Sequence, residues 1–317
     1  MSDDALQQLI APVSSDTFIN NFWQMGPLHI ERREADFFAD VFSLDQFDSL
    51  YARSDLWHPN VRVFHSGKQV PLGQFNAVWD YMGRSHNRLV DKEKVLEWYR
   101  KGATINLLGL ERMEPTLASI SEAFEAQSGH RVQAKAFLSP RVSSNIPPHF
   151  DMSDVFVLQI AGEKQWNLWK PIRKWPLADD NAKRIFGKAD PALNAENAIG
   201  KFSLSAGDSL YIPAGVIHEA VTLEQMSLHI AIGVSVIRWH DVFTAAMKHL
   251  LNDLQVIAGA GLDLNALQHE KNRLNDISRQ LRGRLSDALA YELESWRGVS
   301  QLAAKPSSNC GFLYSKF

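Results

Sequence analysis

A chain of 317 residues, 45% hydrophobic and 22% charged, has the balance of a soluble globular protein. It has room for one large β domain with helical additions, or for two smaller domains. A net charge of −3 and a pI of about 6.4 give no overall basic balance toward nucleic acid, and no direct nucleic-acid partner is expected. The single cysteine, Cys310, excludes an internal disulfide and a cysteine-built zinc site. The polar, acidic start of the chain has no secretory pattern, and no run of eighteen apolar residues occurs. A cytoplasmic protein without a membrane span is therefore expected.

Along residues 1–130 the pattern reads as mixed and mostly helical. Ser43 to Ala52 and Asp91 to Lys101 have the spacing of short amphipathic helices. Glu114 to Gly129 predicts a clearer one, with Pro115 in its first turn, Gly129 as its C-terminal cap, and Leu117, Ile120 and Phe124 at helical spacing. From Gln133 to Val236 the character becomes β. Val155 to Ile160 and Gln165 to Trp169 predict strands, joined by a hairpin turn at Ala161-Gly162-Glu163. Lys201 to Leu204 alternates, Ala206-Gly207-Asp208 turns, Leu210 to Ile212 follows, and Pro213-Ala214-Gly215 turns again. Leu228 to Val236 is an apolar run interrupted by His229 and Ser235, which suits a buried strand. Short strands between such turns predict a sandwich or barrel of jelly-roll type. After Trp239 helical spacing returns. Leu267, Leu274, Ile277, Leu281, Leu285, Leu289 and Leu293 form a stripe that packs either on its own domain or across a dimer interface.

The chemistry concentrates at His149, Asp151 and His218. On an extended segment the side chains of His149-x-Asp151 point the same way, so one short stretch supplies two ligands. His218 follows the Pro-Ala-Gly turn and can supply the third from a neighbouring strand. Two imidazoles and a carboxylate cap one face of an octahedral ion and leave the other open, the arrangement of non-haem Fe(II) oxygenases. Manganese, cobalt and nickel suit the same set, and a three-ligand zinc site is the main alternative.

Three further blocks sharpen the reading. They are Pro147-Pro148-His149-Phe150-Asp151, then Asp154 to Gln159 with Gly162-Glu163-Lys164-Gln165-Trp166, and Gly207-Asp208-Ser209-Leu210-Tyr211-Ile212-Pro213-Ala214-Gly215 with His218-Glu219. Together they resemble the JmjC oxygenases of the cupin superfamily, most closely the ribosomal-oxygenase branch. Phe22-Trp23, Gly26-Pro27-Leu28 and Gly102-Ala103-Thr104 extend the resemblance over roughly residues 15–240. It implies an α+β chain in three parts. Residues 1–130 would be an N-terminal mixed region, 131–240 a double-stranded β-helix with the metal site, and 241–317 a helical, dimerising segment.

The resemblance further implies Fe(II), 2-oxoglutarate and O2, and hydroxylation of a side chain in a protein or peptide. The same chemistry on a small molecule, demethylation of methyl-lysine, and a non-catalytic metal-binding cupin are the other readings. A chelated dicarboxylate leaves a second carboxylate whose unpaired burial is costly. Lys164 stands where the family places a lysine for it. Lys135 is a second candidate; with Phe137 it takes the positions of an asparagine and a tyrosine common in relatives. Ser139, Ser144 and Asn145 are further polar candidates. His229 is either a satisfied core histidine or a contact to 2-oxoglutarate. Glu219 either orients a ligand or lies on the surface. Trp166 and Trp169 fall on opposite strand faces, one for the core and one for a groove. Lys170 to Lys174 is either a solvated loop or a contact to an acidic peptide. The stretch to Trp296 fits the dimerising segment, and the residues after it are too few for the branch's winged helix. A homodimer is expected, and a substrate other than a ribosomal protein, including a peptide natural-product precursor, becomes plausible.

Overall fold

The computed structural model describes residues 5–53, 56–143, 145–177 and 185–253. Short helices α1 (Ala5–Ile10) and α2 (Ser15–Asn21) lead to strand β1 (Leu28–Ile30) and helix α3 (Leu44–Tyr51). Strands β2 (Val61–His65) and β3 (Lys68–Gln69) precede a hairpin of β4 (Asn76–Tyr81) and β5 (Arg84–Val90). Helix α4 (Lys92–Arg100), strand β6 (Thr104–Leu108) and helix α5 (Pro115–Ser128) follow. The sheet is completed by β7 (Arg131–Ser139), β8 (Asp154–Trp169), β9 (Ala198–Leu204), β10 (Ser209–Ile212) and β11 (Ile217–Ser235), before helix α6 (Trp239–Asp253). The described residues fall into two compact units, and the sheet with the candidate site belongs to the first. The leucine stripe and Ser144 lie outside the described residues.

The expected helices form where their caps dictate. Ser43 accepts from the backbone N–H of Gln46, and Asp91 from that of Lys94, so each satisfies an N-terminal donor. Residues 1–130 differ from a mostly helical reading. β1, β2, β3 and β6 join the main sheet, and β4 with β5 forms a second one. Their apolar residues, such as Val61 and Val63, find partners only through distant strands, which local periodicity does not register.

The main sheet runs β1-β10-β8-β11-β7-β6-β2-β3, with β9 also paired to β8. Its centre is the antiparallel pair of long strands β8 and β11. The first half of β8 pairs with β10, and the second half with β9, so one strand serves both faces of a jelly roll. No hairpin turn forms at Ala161-Gly162-Glu163; the strand runs through it as a bulge. Leu228 pairs with Ala161 and His229 with Gln159, leaving Ile160 as the extra residue. Gly162 sits at φ +64°, and a Cβ there would lie 1.7 Å from the carbonyl oxygen of Met226.

The extra residue shifts the alternation. Before it, odd-numbered Val155 and Val157 face the interior; after it, even-numbered Trp166 and Leu168 do. With Leu204, Leu210, Ile212 and Val216 they form the core between the faces. On β11 the register shift between Thr222 and Ser227 has the same effect, turning His218 and Ala220 inward on one side and His229 and Ala231 on the other.

Candidate metal centre

The segment before β8 is stitched to the start of β11. The N–H of His149 donates to the carbonyl of His218 at 3.0 Å, and that of His218 to the carbonyl of His149 at 2.7 Å. The N–H of Gly215 donates to the Asp151 carbonyl at 2.9 Å, and that of Ala214 to Oδ1 of Asp154 at 2.7 Å. Gly215 has φ +86°, and a Cβ would approach the Arg173 carbonyl oxygen to 2.7 Å. Glycine is thus required where the turn meets the loop after β8.

This stitching gathers one ligand atom each from His149, Asp151 and His218 to within 4.8 Å of one another. Nε2 of His218 stands 3.8 Å from Oδ2 of Asp151, and the two imidazole centroids are 4.4 Å apart. Nδ1 of His149 lies 2.9 Å from the Pro147 carbonyl, and Nδ1 of His218 lies 3.0 Å from the Val216 carbonyl. A carbonyl only accepts, so each Nδ1 carries the hydrogen and each Nε2 keeps a lone pair. Burial, and next the neighbouring His149, push His218 down to about 4 against the opposing pull of Asp151. It is therefore neutral at ordinary pH, the form a metal needs. The Asp151 side chain is 45% exposed, so the cluster opens outward on that side.

Behind the cluster lies a cavity lined by His149, Asp151, Val155, Lys164, Trp166, His218 and His229, with Phe137, Ser139 and Asn145. Lys164 is 4% exposed; its ammonium lies 2.9 Å from Oγ of Ser139 and 3.4 Å from Nδ1 of His229. Burial alone pulls it down to about 7. Ser139 also accepts from Thr104 Oγ1 at 3.0 Å, which accepts from Asn145 Nδ2 at 3.1 Å. Asn145 is anchored in turn on the Gly102 carbonyl at 2.7 Å. His229 stacks on Phe137, centroids 4.9 Å apart and planes 5° apart, and meets the edge of Trp166 at 5.4 Å. Nε1 of Trp166 is buried without a hydrogen-bond partner among the described residues.

Residues 106–242 match the family model described as a JmjC domain. Over these residues the chain is similar to JmjC domains. It is 29% identical over 303 residues to ribosomal oxygenase 2 of Mus musculus, covering 91% of this chain and 60% of that protein. It is 29% identical over 242 residues to the bifunctional lysine-specific demethylase and histidyl-hydroxylase NO66 of Drosophila melanogaster, covering 72% of this chain and 33% of that one. The chain thus spans about 60% of the length of the ribosomal oxygenase 2 proteins it matches. Among solved structures, Escherichia coli YcfD, a ribosomal oxygenase in complex with cobalt and 2-oxoglutarate, superposes with a TM-score of 0.52 at 15% identity, over 91% of this chain and 71% of that chain. Another YcfD structure gives a TM-score of 0.53 at 17% identity, over 85% and 67%. These structures share this chain's fold.

The fold brings His149, Asp151, His218, Lys164 and His229 to one cavity. Lys135 is not among its lining residues, although Phe137 and Ser139 of the same strand are. The cavity takes its one lysine from β8 instead. Trp166 is the buried, cavity-lining member of the tryptophan pair, while Trp169 packs against Phe150, Phe186 and Ile217. Sequence reasoning gave no role to Thr104, Ser143 or Ile146, which also line the cavity. The signal for Thr104 is its place after Gly102 on a strand whose pairing with β7 is a long-range fact.

Proposed function

We propose that this protein is an Fe(II)- and 2-oxoglutarate-dependent dioxygenase that hydroxylates a side chain of a protein or peptide. The observation that carries the reading is a two-histidine, one-carboxylate cluster opening onto a cavity that holds a buried, uncompensated lysine. In this reading His149, Asp151 and His218 hold the metal through Nε2, a carboxylate oxygen and Nε2. The donor set fits: both imidazoles are in the ligating tautomer, and nitrogen and oxygen donors without sulfur suit iron(II). The pocket fits an anion as well. A lysine with only a hydroxyl and an imidazole for company lacks the negative charge its burial calls for.

Bound iron with 2-oxoglutarate and O2 supplies conversion of a C–H bond to C–OH, while 2-oxoglutarate loses CO2 and becomes succinate. The chain's own residues bind and aim. Lys164 pairs with the far carboxylate, and Ser139, which accepts from both Thr104 and Lys164, has its own hydrogen left to donate there. His229, clamped between Phe137 and Trp166, holds the lysine from the other side. The apolar faces of Val155, Phe137 and Ala231 exclude water around the chain of the co-substrate. The exposed side of Asp151 is where a substrate side chain reaches the centre.

The relatives named as ribosomal oxygenases and as a histidyl-hydroxylase support a protein substrate. A homodimer formed through residues 241–317, and a cytoplasmic setting, belong to the same proposal. The leucine stripe supports the first and the single cysteine the second. Among the described residues no helix is long and apolar enough to cross a membrane.

The deciding experiment is anaerobic titration of the metal-free protein with Fe(II) and 2-oxoglutarate, watching for the visible metal-to-ketoacid charge-transfer band. The band is expected in the wild type and weakened in Lys164→Ala. Absence of the band, with zinc retained tightly instead, would sink the oxygenase reading and favour a metal-binding scaffold.

A further inference from the structure

His149 belongs to two antiparallel bridges at once, one to the second histidine of the cluster, His218, and one to Ile185. Residues directly opposed in such a pair carry their side chains on the same face. Ile185, His149 and His218 therefore form a row across three neighbouring segments, on the side that holds the candidate metal centre. The adjoining residues account for the opposite side, where Phe150, Phe186 and Ile217 pack as a buried cluster.

Both backbone groups of His149 are engaged by His218, so its pair with Ile185 is of the non-hydrogen-bonded kind. That kind sets side chains closest, with Cβ atoms about 5 Å apart. Ile185 is nonetheless 60% exposed, and it does not line the cavity behind the cluster. It thus stands beside a metal-ligating position but outside the space that suits a co-substrate. A second large apolar residue, Trp175, is 54% exposed on the loop whose Arg173 and Pro176 abut Gly215, and Gly215 donates its N–H to Asp151. Exposed apolar side chains are ordinary when scattered singly. Here two of them adjoin the segments that carry the cluster.

We propose that Ile185 is a specificity-determining residue: the substrate's target side chain lies against it, so the reaction centre favours an apolar target over an amide or a carboxylate. The proposal rests on the catalytic reading above. A C–H bond is attacked only if its carbon reaches the metal centre, and the row of side chains sets Ile185 against whatever occupies the space next to His149. An aliphatic or aromatic side chain gains there by leaving water. A carboxylate or an amide loses its water and finds no donor or acceptor on an isoleucine. No motif announces the residue, because only the fold sets it beside His149.

The test uses the full chain loaded with Mn(II), which suits the same donor set, and saturated with 2-oxoglutarate so that the inner cavity is filled. The probes are N-acetyl-leucine amide, N-acetyl-glutamine amide and N-acetyl-glutamate amide, and the readout is the paramagnetic relaxation of their protons. The leucine probe is expected to be relaxed at least about fivefold more strongly than the other two. Ile185→Ser should bring it down to their level, and Ile185→Val should restore most of the difference, with 2-oxoglutarate affinity by calorimetry unchanged in both. A glutamine or glutamate probe relaxed as strongly as leucine overturns the proposal, as does an Ile185→Ser protein that relaxes leucine like the wild type. So does a sedimentation change in Ile185→Ser that marks the residue as a contact between copies of the chain. Failure of the metal reading shows separately, because manganese then leaves water relaxation at the value of the free ion. In that event saturation transfer from the metal-free protein decides: the leucine probe is expected to lose its signal in Ile185→Ser, and an unchanged signal overturns the proposal.

Discussion

The ammonium of Lys164 lies 3.4 Å from Nδ1 of His229, with both groups buried and no carboxylate close enough to offset the cost. Two positive charges at that distance are untenable, and His229 is the one that stays neutral. Burial first, and then Lys164, hold it well below its ordinary range. Burial also pulls the lysine down to about 7. A carboxylate entering beside it favours the charged form. Above pH 7 the binding of 2-oxoglutarate is therefore expected to take up a proton. His218 is already neutral in that range, so it does not blur the signal. Calorimetry of the metal-loaded protein in two buffers of different ionisation enthalpy measures the uptake directly. Heats identical in both buffers would show that Lys164 is charged before the ligand arrives. In Lys164→Met the uptake should vanish and affinity should fall by at least about 100-fold, the scale of a buried charge-assisted pair.

The same lysine sets a pH dependence of stability in the ligand-free protein. Its folded value, about 7, lies below the 10.5 of an ordinary lysine. Between these values the unfolded chain binds the proton and the folded chain does not, so stability rises with pH across the window. Below about 7 both states hold the proton, and the penalty of burying the charge is complete and constant. Urea unfolding between pH 7 and 10 should show the rise in the wild type and a flatter profile in Lys164→Met. Equal slopes would place the titration elsewhere.

Phe137 lies flat against His229, and this stack fixes the imidazole that faces Lys164. Phe137→Ala removes an aromatic pair worth about 1 kcal/mol and opens a void in the cavity wall. Stability is expected to fall by about 3 kcal/mol. Co-substrate affinity should fall as well, while metal affinity is unchanged, because the ligands are held by backbone bonds to Pro147 and Val216 instead. Metal and 2-oxoglutarate titrations run separately on this variant distinguish the two effects. A loss of metal binding equal to the loss of co-substrate would show that the wall and the ligand set move as one.

Much of the site was legible because it is local. His149 and Asp151 are two residues apart, and His218 follows a turn whose Pro, Ala and Gly are visible as such. Lys164 is singled out by the family motif, and the fold buries it in the wall of the cavity. Lys135 shows the limit. It was weighed by position on a strand, but β7 offers the cavity Phe137 and Ser139 and not Lys135. The relay of Asn145, Thr104, Ser139 and Lys164 joins four separate segments, and no spacing announces it. The strands within residues 1–130 were missed for the same reason, since β2 and β6 are stabilised by each other and by β7.

The largest misreading, a hairpin turn at Ala161-Gly162-Glu163, leads to the sharpest test of how fold makes site. A glycine between two β-prone runs reads as a turn, yet here it lies within β8, in a bulge against Met226. The bulge moves the interior from odd to even positions, and so sets Lys164 and Trp166 on the same side as Val155. Gly162→Ala adds a Cβ at 1.7 Å from a backbone oxygen and at φ +64°, which no side-chain rotation relieves. Destabilisation of at least about 2 kcal/mol is expected, in the range of strain at special backbone positions. Relief requires either separating β8 from β11 or closing the bulge, and closing it would turn Lys164 outward. Folded Gly162→Ala is therefore expected to lose 2-oxoglutarate affinity more than metal affinity, because His149, Asp151 and His218 are stitched together beyond the bulge. Ala161→Gly at the neighbouring position, which adds no atom, serves as the control and should leave both affinities near wild type. A Gly162→Ala protein with wild-type stability and an intact co-substrate site would mean that the bulge does not control the phase of the strand.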